Sequence, residues 1–304
     1  MAELLITARG FTVGLLPKVG GCLTRLDWCP APGARSVPLL RPSEAEAVKA
    51  GDPGRLACFP MLPFVNRIAD GRFAWRGRRY QLPLNRLPEP HAIHGFGFQA
   101  VWVVAERRPD FIRLIHEHAD GVSPFRYQAA LTIGVRPDAV IIELAVTHLG
   151  TEPCPYGIGL HPYFPRDTGT RLTLATDRWF PADATKLPLS AQPIGPGQVF
   201  HTSKPVLDAV PLDASCTGWN GKARIDWPER GATLHLVADG AFRAVHLFLP
   251  DDRPAFCVEP VSQLPNQVNR PEFDSDLPPI VLEVGEGASG RLCLFPCAEN
   301  YPAL

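Results

Sequence analysis

A chain of 304 residues can bury a sizeable core as one large domain or two ordinary ones, and 45% hydrophobic against 20% charged residues excludes a disordered or fibrous protein. The formal net charge of -1 leaves no overall electrostatic footprint for nucleic acid or an anionic membrane. The 34 prolines exclude long helices and imply many connections between short elements, so an all-β protein with very little helix is expected.

Residues Met1 to Pro17 lack a basic leader followed by an apolar stretch, and no later run approaches a membrane span, so no membrane association is expected. The first helix candidate is Ser43 to Gly51, where Ser43 and Glu46 have capping-box spacing and Gly51 can end the helix. Five arginines follow (Arg67, Arg72, Arg76, Arg78, Arg79), alternating with Phe73, Trp75 and Tyr80 as in a hairpin with one solvated face. Arg67 stands apart, since it follows the apolar run Met61 to Val65. Period-two alternation then marks strands over 111–118, 139–148, 171–176, 233–237, 244–249 and 291–295. Turn signals separate them at Arg136-Pro-Asp, Leu149-Gly, Asp239-Gly and Pro250 to Pro254. Pro181 to Val210 is rich in proline and glycine but carries Leu187, Leu189, Ile194 and Val199, which reads as an ordered excursion rather than a linker. No βα alternation, glycine-rich phosphate loop or fixed-period repeat occurs, and residues 1–304 are read as a single domain.

Eight cysteines show no CxxC pair and no finger-like spacing with histidine, so no metal is expected. Several sit among apolar neighbours, where a reduced cysteine is a small core residue; a reducing, cytoplasmic location follows. Three segments carry chemistry: Asn66-Arg67-Ile68 with His91 and His94 downstream, His161-Pro-Tyr-Phe164, and Val258-Glu259-Pro260. His161 and Glu259 suit a general acid and a general base, and Arg67 and His94 can hold a polar, uncharged ligand. Glu259 follows the apolar run Ala255 to Val258, where burial favours a raised pKa. His91 fits a pocket rim or a structural hydrogen bond equally. His116, His118, His148, His201, His235 and His246 read as surface or strand residues, and Trp219, Tyr163 and Phe96 suit either a sugar face or the core.

These segments resemble the aldose 1-epimerases over nearly the whole chain, from Leu16-Pro-Lys-Val-Gly-Gly21 to the strand after Glu259. The resemblance implies a large antiparallel β-sandwich, the galactose mutarotase-like supersandwich. It implies Glu259 as general base, His161 as general acid, and Asn66, Arg67, His94, Asp213 and Trp219 as substrate-binding residues. Mutarotation takes a proton from the anomeric hydroxyl and gives one to the ring oxygen; the ring opens, C1 rotates, and reclosure yields the other anomer. An acid and a base suffice, with no cofactor. His94-Gly95-Phe96 lacks the second glycine usual in galactose enzymes, and Pro260 is an unusual follower of the glutamate; both resemble the broad bacterial subgroup of less defined specificity. The implied partner is a monosaccharide, and the chain is expected as a monomer or homodimer.

Two rival readings remain at this level. An anionic sugar, such as a hexose 6-phosphate, could be gripped by arginines of the Arg67 to Arg79 hairpin. A non-catalytic sugar-binding protein would use the same fold but needs neither His161 nor Glu259. A glycoside hydrolase would require two well-placed carboxylates, and the sequence offers one.

Overall fold

In the computed structural model, which describes residues 3–194 and 200–298, two large sheets carry most of the chain. The first has eleven strands, ordered Leu4–Ala8, Phe11–Leu16, Cys22–Trp28, Cys58–Met61, Gly159–Pro165, Ala255–Val261, Ala244–Leu249, Leu212–Thr217, Arg178–Pro181 and Gln192–Pro193, with Val37–Pro38 paired to the third. The second has nine, ordered Val103–Arg108, Phe111–Ala119, Arg126–Val135, Val140–His148, Gly287–Ala298, Ala232–Gly240, Lys222–Trp227, Arg171–Leu174 and Lys204–Pro205. Neighbouring strands in both sheets run antiparallel.

The inner faces meet in one apolar cluster, in which Val13, Leu23, Val245 and Val258 from the first sheet join Leu131, Ile133, Val140 and Leu292 from the second. Each fully buried aliphatic side chain contributes about 1.5–3 kcal/mol relative to exposure. The first sheet is also buried on its outer face. Phe59, Met61, Tyr163, Cys257 and Val261 form a second cluster there with Leu264, Phe273 and Leu277 from the chain that folds over it. Central strands with two buried faces read as continuous apolar runs, which is why Ala255–Val261 shows no polar alternation.

Among the described residues the single α-helix is Ala45–Ala50, closed by Gly51 in the left-handed conformation with its N–H donating to Ala47 O. The expected capping box does not form. Glu44 takes the N-cap position, and the Ser43 backbone N–H is drawn instead to Thr24 O at 2.8 Å, so a tertiary hydrogen bond sets the start of the helix. The arginine-rich hairpin forms as read: Arg72–Trp75 pairs with Arg78–Gln81, with Phe73 buried opposite Tyr80 and Arg72, Arg76, Arg78 and Arg79 exposed. The described parts of 181–210 contribute edge strands to both sheets; Val199 lies outside the described residues.

Candidate active site

The strand register collects the site on the outer face of the eleven-stranded sheet. Gly159 pairs with Val261 and Tyr163 with Cys257, which sets His161 across from Glu259. His246 pairs with Glu259 on the next strand, and Ser215 with His246 on the one after. Alternation puts Leu160, Val245, Leu247 and Val258 in the inner core, while His161, His246, Glu259 and Asp213 point outward into one pocket. Its volume is about 160 Å³.

Two further strands bring the pocket wall. Arg67–Ile68 pairs with Ala92–Ile93, and His94 N–H donates to Asn66 O at 2.8 Å. Asn66, His94 and Gly95 all have positive φ, at 54°, 58° and 75°. At Gly95 a Cβ would stand 1.9 Å from Leu62 O, so glycine is required where the chain presses against residue 62. The Asn85 side chain locks this loop, donating to Ile93 O and Gly95 O at 2.7 and 2.8 Å and accepting from Ile93 N at 2.9 Å. Beyond Val261, Gln263 Oε1 accepts from Val65 N at 3.0 Å and Asn266 Oδ1 from Ala69 N at 3.1 Å, which fixes the segment carrying Arg67.

Within the pocket His161 Nε2 lies 3.2 Å from Glu259 Oε1. The carboxylate is 1% exposed and its two oxygens have no aligned hydrogen-bond partner. Burial pushes Glu259 up to about 8; the charges of His246 and Arg67 pull the other way, and Asp213 adds to the rise. Burial drives His161 well below the ordinary histidine value, helped by the His246 charge. His94 is lowered likewise by burial and by His161 and Arg67. His161 stacks on Tyr163 and packs on Phe59, with ring centroids 4.7 and 4.4 Å apart. Arg67 is held by Glu89 through Nε at 3.2 Å and Nη2 at 3.0 Å, and its Nη1 donates to Asn66 Oδ1 at 3.1 Å.

His246, read from sequence as a surface or strand residue, is a strand residue but a pocket one. Its Nε2 is 3.1 Å from Asp213 Oδ1 and its Nδ1 is 2.8 Å from Ser215 Oγ. Burial pulls its pKa down, yet the Glu259 charge and the bond to Asp213 outweigh this and leave it raised. The same bond leaves Asp213 lowered although burial opposes it. The bond to Asp213 and the pairing with Glu259 on the next strand thus favour the protonated form of His246.

Of the residues singled out from sequence, Asn66, Arg67, His94, His161, Asp213 and Glu259 all line this pocket. Trp219 does not. The strand carrying Asp213 runs on to Thr217, roughly 13 Å away at the usual rise per residue, and the chain then turns through Gly218 with φ 69°. The turn sends the indole into the inner core, where it is 7% exposed and its Nε1 donates to Lys222 O at 2.9 Å. His91 also stays out of the lining; its Nδ1 accepts from Asp70 N at 3.1 Å. Phe96 stacks on His118 at 4.4 Å and packs against the inner core. His148 is fully buried, bonded at 2.8 Å to both Tyr156 Oη and Glu152 O. A larger cleft of about 590 Å³ beside Trp75 and Asp120 is lined by no histidine among the described residues.

Residues 4–292 match the family model described as aldose 1-epimerase. The chain belongs to the aldose 1-epimerase family. It is 32% identical over 269 residues to the uncharacterized protein YphB of Escherichia coli K12, covering 85% of this chain and 89% of that one. It is 24% identical over 257 residues to galactose mutarotase of Mus musculus, covering 73% of each. Among solved structures, an E. coli K12 protein provisionally assigned as an aldose 1-epimerase superposes with a TM-score of 0.86 at 27% identity, over 98% of this chain and 99% of that one. A galactose mutarotase-like protein from Clostridium acetobutylicum, at 20% identity and a TM-score of 0.81 over 97% and 94% of the chains, shares the fold. The all-β sandwich expected from the sequence is thus the fold of the family. No helix among the described residues is long and apolar enough to cross a membrane.

Proposed function

We propose that this protein interconverts the α and β anomers of a free aldose by opening and reclosing the sugar ring, with Glu259 as general base and His161 as general acid. The observation that carries the reading is the 3.2 Å approach of His161 Nε2 to Glu259 Oε1 in a pocket sized for a single sugar ring. Arg67, Asn66, His94 and Asp213 supply donors and acceptors around it for sugar hydroxyls. Glu259 accepts the anomeric proton while His161 protonates the ring oxygen, and both transfers reverse on reclosure.

The pair needs one proton between its two members. Above about 8 Glu259 releases it, and well below the ordinary histidine range His161 takes up a second. In the free pocket that proton rests on Glu259. A sugar bound with its anomeric hydroxyl donating to the carboxylate and its ring oxygen accepting from the imidazolium favours its transfer to His161. The expected pH profile of kcat/KM is flat through neutrality and falls above about 8. The His246 charge depresses both groups, so His246→Gln is expected to move both limbs to higher pH; polarimetric pH profiles of the two proteins check this.

A second reading has its own observation. Arg86, Arg253 and Lys186, each more than a third exposed, line the mouth of the pocket, an arrangement suited to a sugar bearing an anionic substituent. The hairpin arginines 72, 76, 78 and 79, suggested by the sequence for that purpose, lie outside the lining. Polarimetry or NMR exchange on fresh single anomers of glucose, galactose, xylose, arabinose, fucose and glucose 6-phosphate tests both readings. Acceleration of neutral sugars supports the first, acceleration of the phosphate alone the second, and acceleration of none removes the catalytic reading in favour of a sugar binder.

A further inference from the structure

The proposed reaction leaves one nucleophilic group beside the pair unused. Cys257 and Glu259 are two residues apart on the strand Ala255–Val261 and therefore share a face, and the register sets His161 against Glu259 from the neighbouring strand. One ligating atom from each of His161, Cys257 and Glu259 lies within 4.8 Å of the other two. The three residues are 6%, 0% and 1% exposed. Both Glu259 oxygens are buried without an aligned hydrogen-bond partner, and His161 Nε2 faces one of them at 3.2 Å, so ligand capacity is available where the three converge.

We propose that His161, Cys257 and Glu259 form an inhibitory site for a thiophilic divalent cation, with Zn²⁺ the fitting ion. A thiolate, an imidazole and a carboxylate make a donor set that zinc accepts in tetrahedral geometry with a fourth position open, here toward the pocket. At zinc bond lengths of roughly 2.0–2.3 Å, tetrahedral donors stand about 3.3–3.8 Å apart. His161 Nε2 and Glu259 Oε1 nearly have that spacing at 3.2 Å, and donors up to 4.8 Å apart reach it by a closure of about 1 Å. Mg²⁺ and Ca²⁺ demand oxygen ligands and are discriminated against by the sulfur and nitrogen. Coordination replaces the Cys257 S–H proton, which leaves to solvent, and one thiolate plus one carboxylate then balance the two positive charges. Without metal, burial raises the thiol well above its ordinary pKa, so it takes no part in moving sugar protons. With metal bound, the His161 nitrogen and the Glu259 oxygen are both occupied, and inhibition is competitive with sugar. Cysteine spacing in the sequence gave no sign of this, because the donors come from two strands joined by register.

The inference rests on the proposed function for its inhibitory consequence and on geometry alone for the site. The test uses the full chain carrying Cys29→Ser, Cys293→Ser and Cys297→Ser, which removes the three cysteines that are not fully buried. Titration with Co²⁺ is expected to give one equivalent with a thiolate-to-cobalt charge-transfer band that Zn²⁺ bleaches, and Cys257→Ala is expected to abolish the band. Zn²⁺ is expected to inhibit mutarotation, with a midpoint that rises about tenfold or more in Cys257→Ala while activity without metal stays unchanged. Absence of the band in the parent protein, or an unaltered Zn²⁺ midpoint in Cys257→Ala, overturns the proposal. A band in a protein that accelerates no sugar supports the metal site and removes the epimerase reading; mutarotation without a band does the reverse.

Discussion

Glu259→Gln is expected to lower kcat for mutarotation by about 10²- to 10⁴-fold, the range in which positioned proton transfer contributes, with KM little changed. The amide keeps the shape of the side chain and cannot accept the anomeric proton. The same substitution is expected to stabilise the fold near neutral pH. An ordinary carboxyl in the unfolded chain ionises near 4.5, whereas burial holds Glu259 protonated up to about 8 in the folded protein. Between those values the unfolded state releases a proton that the folded state keeps, so raising the pH favours unfolding. Glutamine removes that penalty. Thermal midpoints of both proteins from pH 5 to 8 should therefore separate progressively, with the variant the more stable, while polarimetry records its loss of activity. Unchanged activity refutes the role of the base, and equal midpoints across the range refute the raised pKa.

That combination of lost activity and gained stability is what a buried carboxylate without hydrogen-bond partners implies, and the sequence already contained half of it. The apolar run before Glu259 said that the carboxyl was buried, and the residues around His161 and His94 marked other members of the pocket. The long-range register could not be read in the same way. Ala244 to Leu249 alternates, which announces a strand but not its neighbours, so His246 was legible as a strand residue and not as the partner of Glu259. Asn85 and Glu89 lie in loop backbone with no periodicity, and only the folded chain shows them holding the His94 loop and Arg67. Trp219, which suited either a sugar face or the core from sequence, lies in the core because the extended strand after Asp213 carries the chain away from the pocket. Ser43 and Glu46 had the spacing of a capping box, and one backbone hydrogen bond to Thr24 outweighed it.

His161→Asn is the second large expected effect, and its pH dependence separates the role of the acid from mere placement in the pocket. Asparagine retains a hydrogen-bond donor of similar reach but has no proton to give, so kcat is expected to fall by about 10²- to 10⁴-fold. The acidic limb of the profile, which reports uptake of a second proton by His161, disappears with the imidazole. The alkaline limb near 8 belongs to Glu259 and remains, moved only by the loss of a neighbour 3.2 Å away. If His161 only shaped the pocket through its stacking on Tyr163 and Phe59, the acidic limb would survive the substitution and KM would rise instead. The double variant His161→Asn with Glu259→Gln is expected to be scarcely slower than either single one, because an acid and a base that act on one ring opening fail together. Multiplicative losses in the double variant would mean that the two side chains act on separate steps, and the one-proton mechanism would then be wrong.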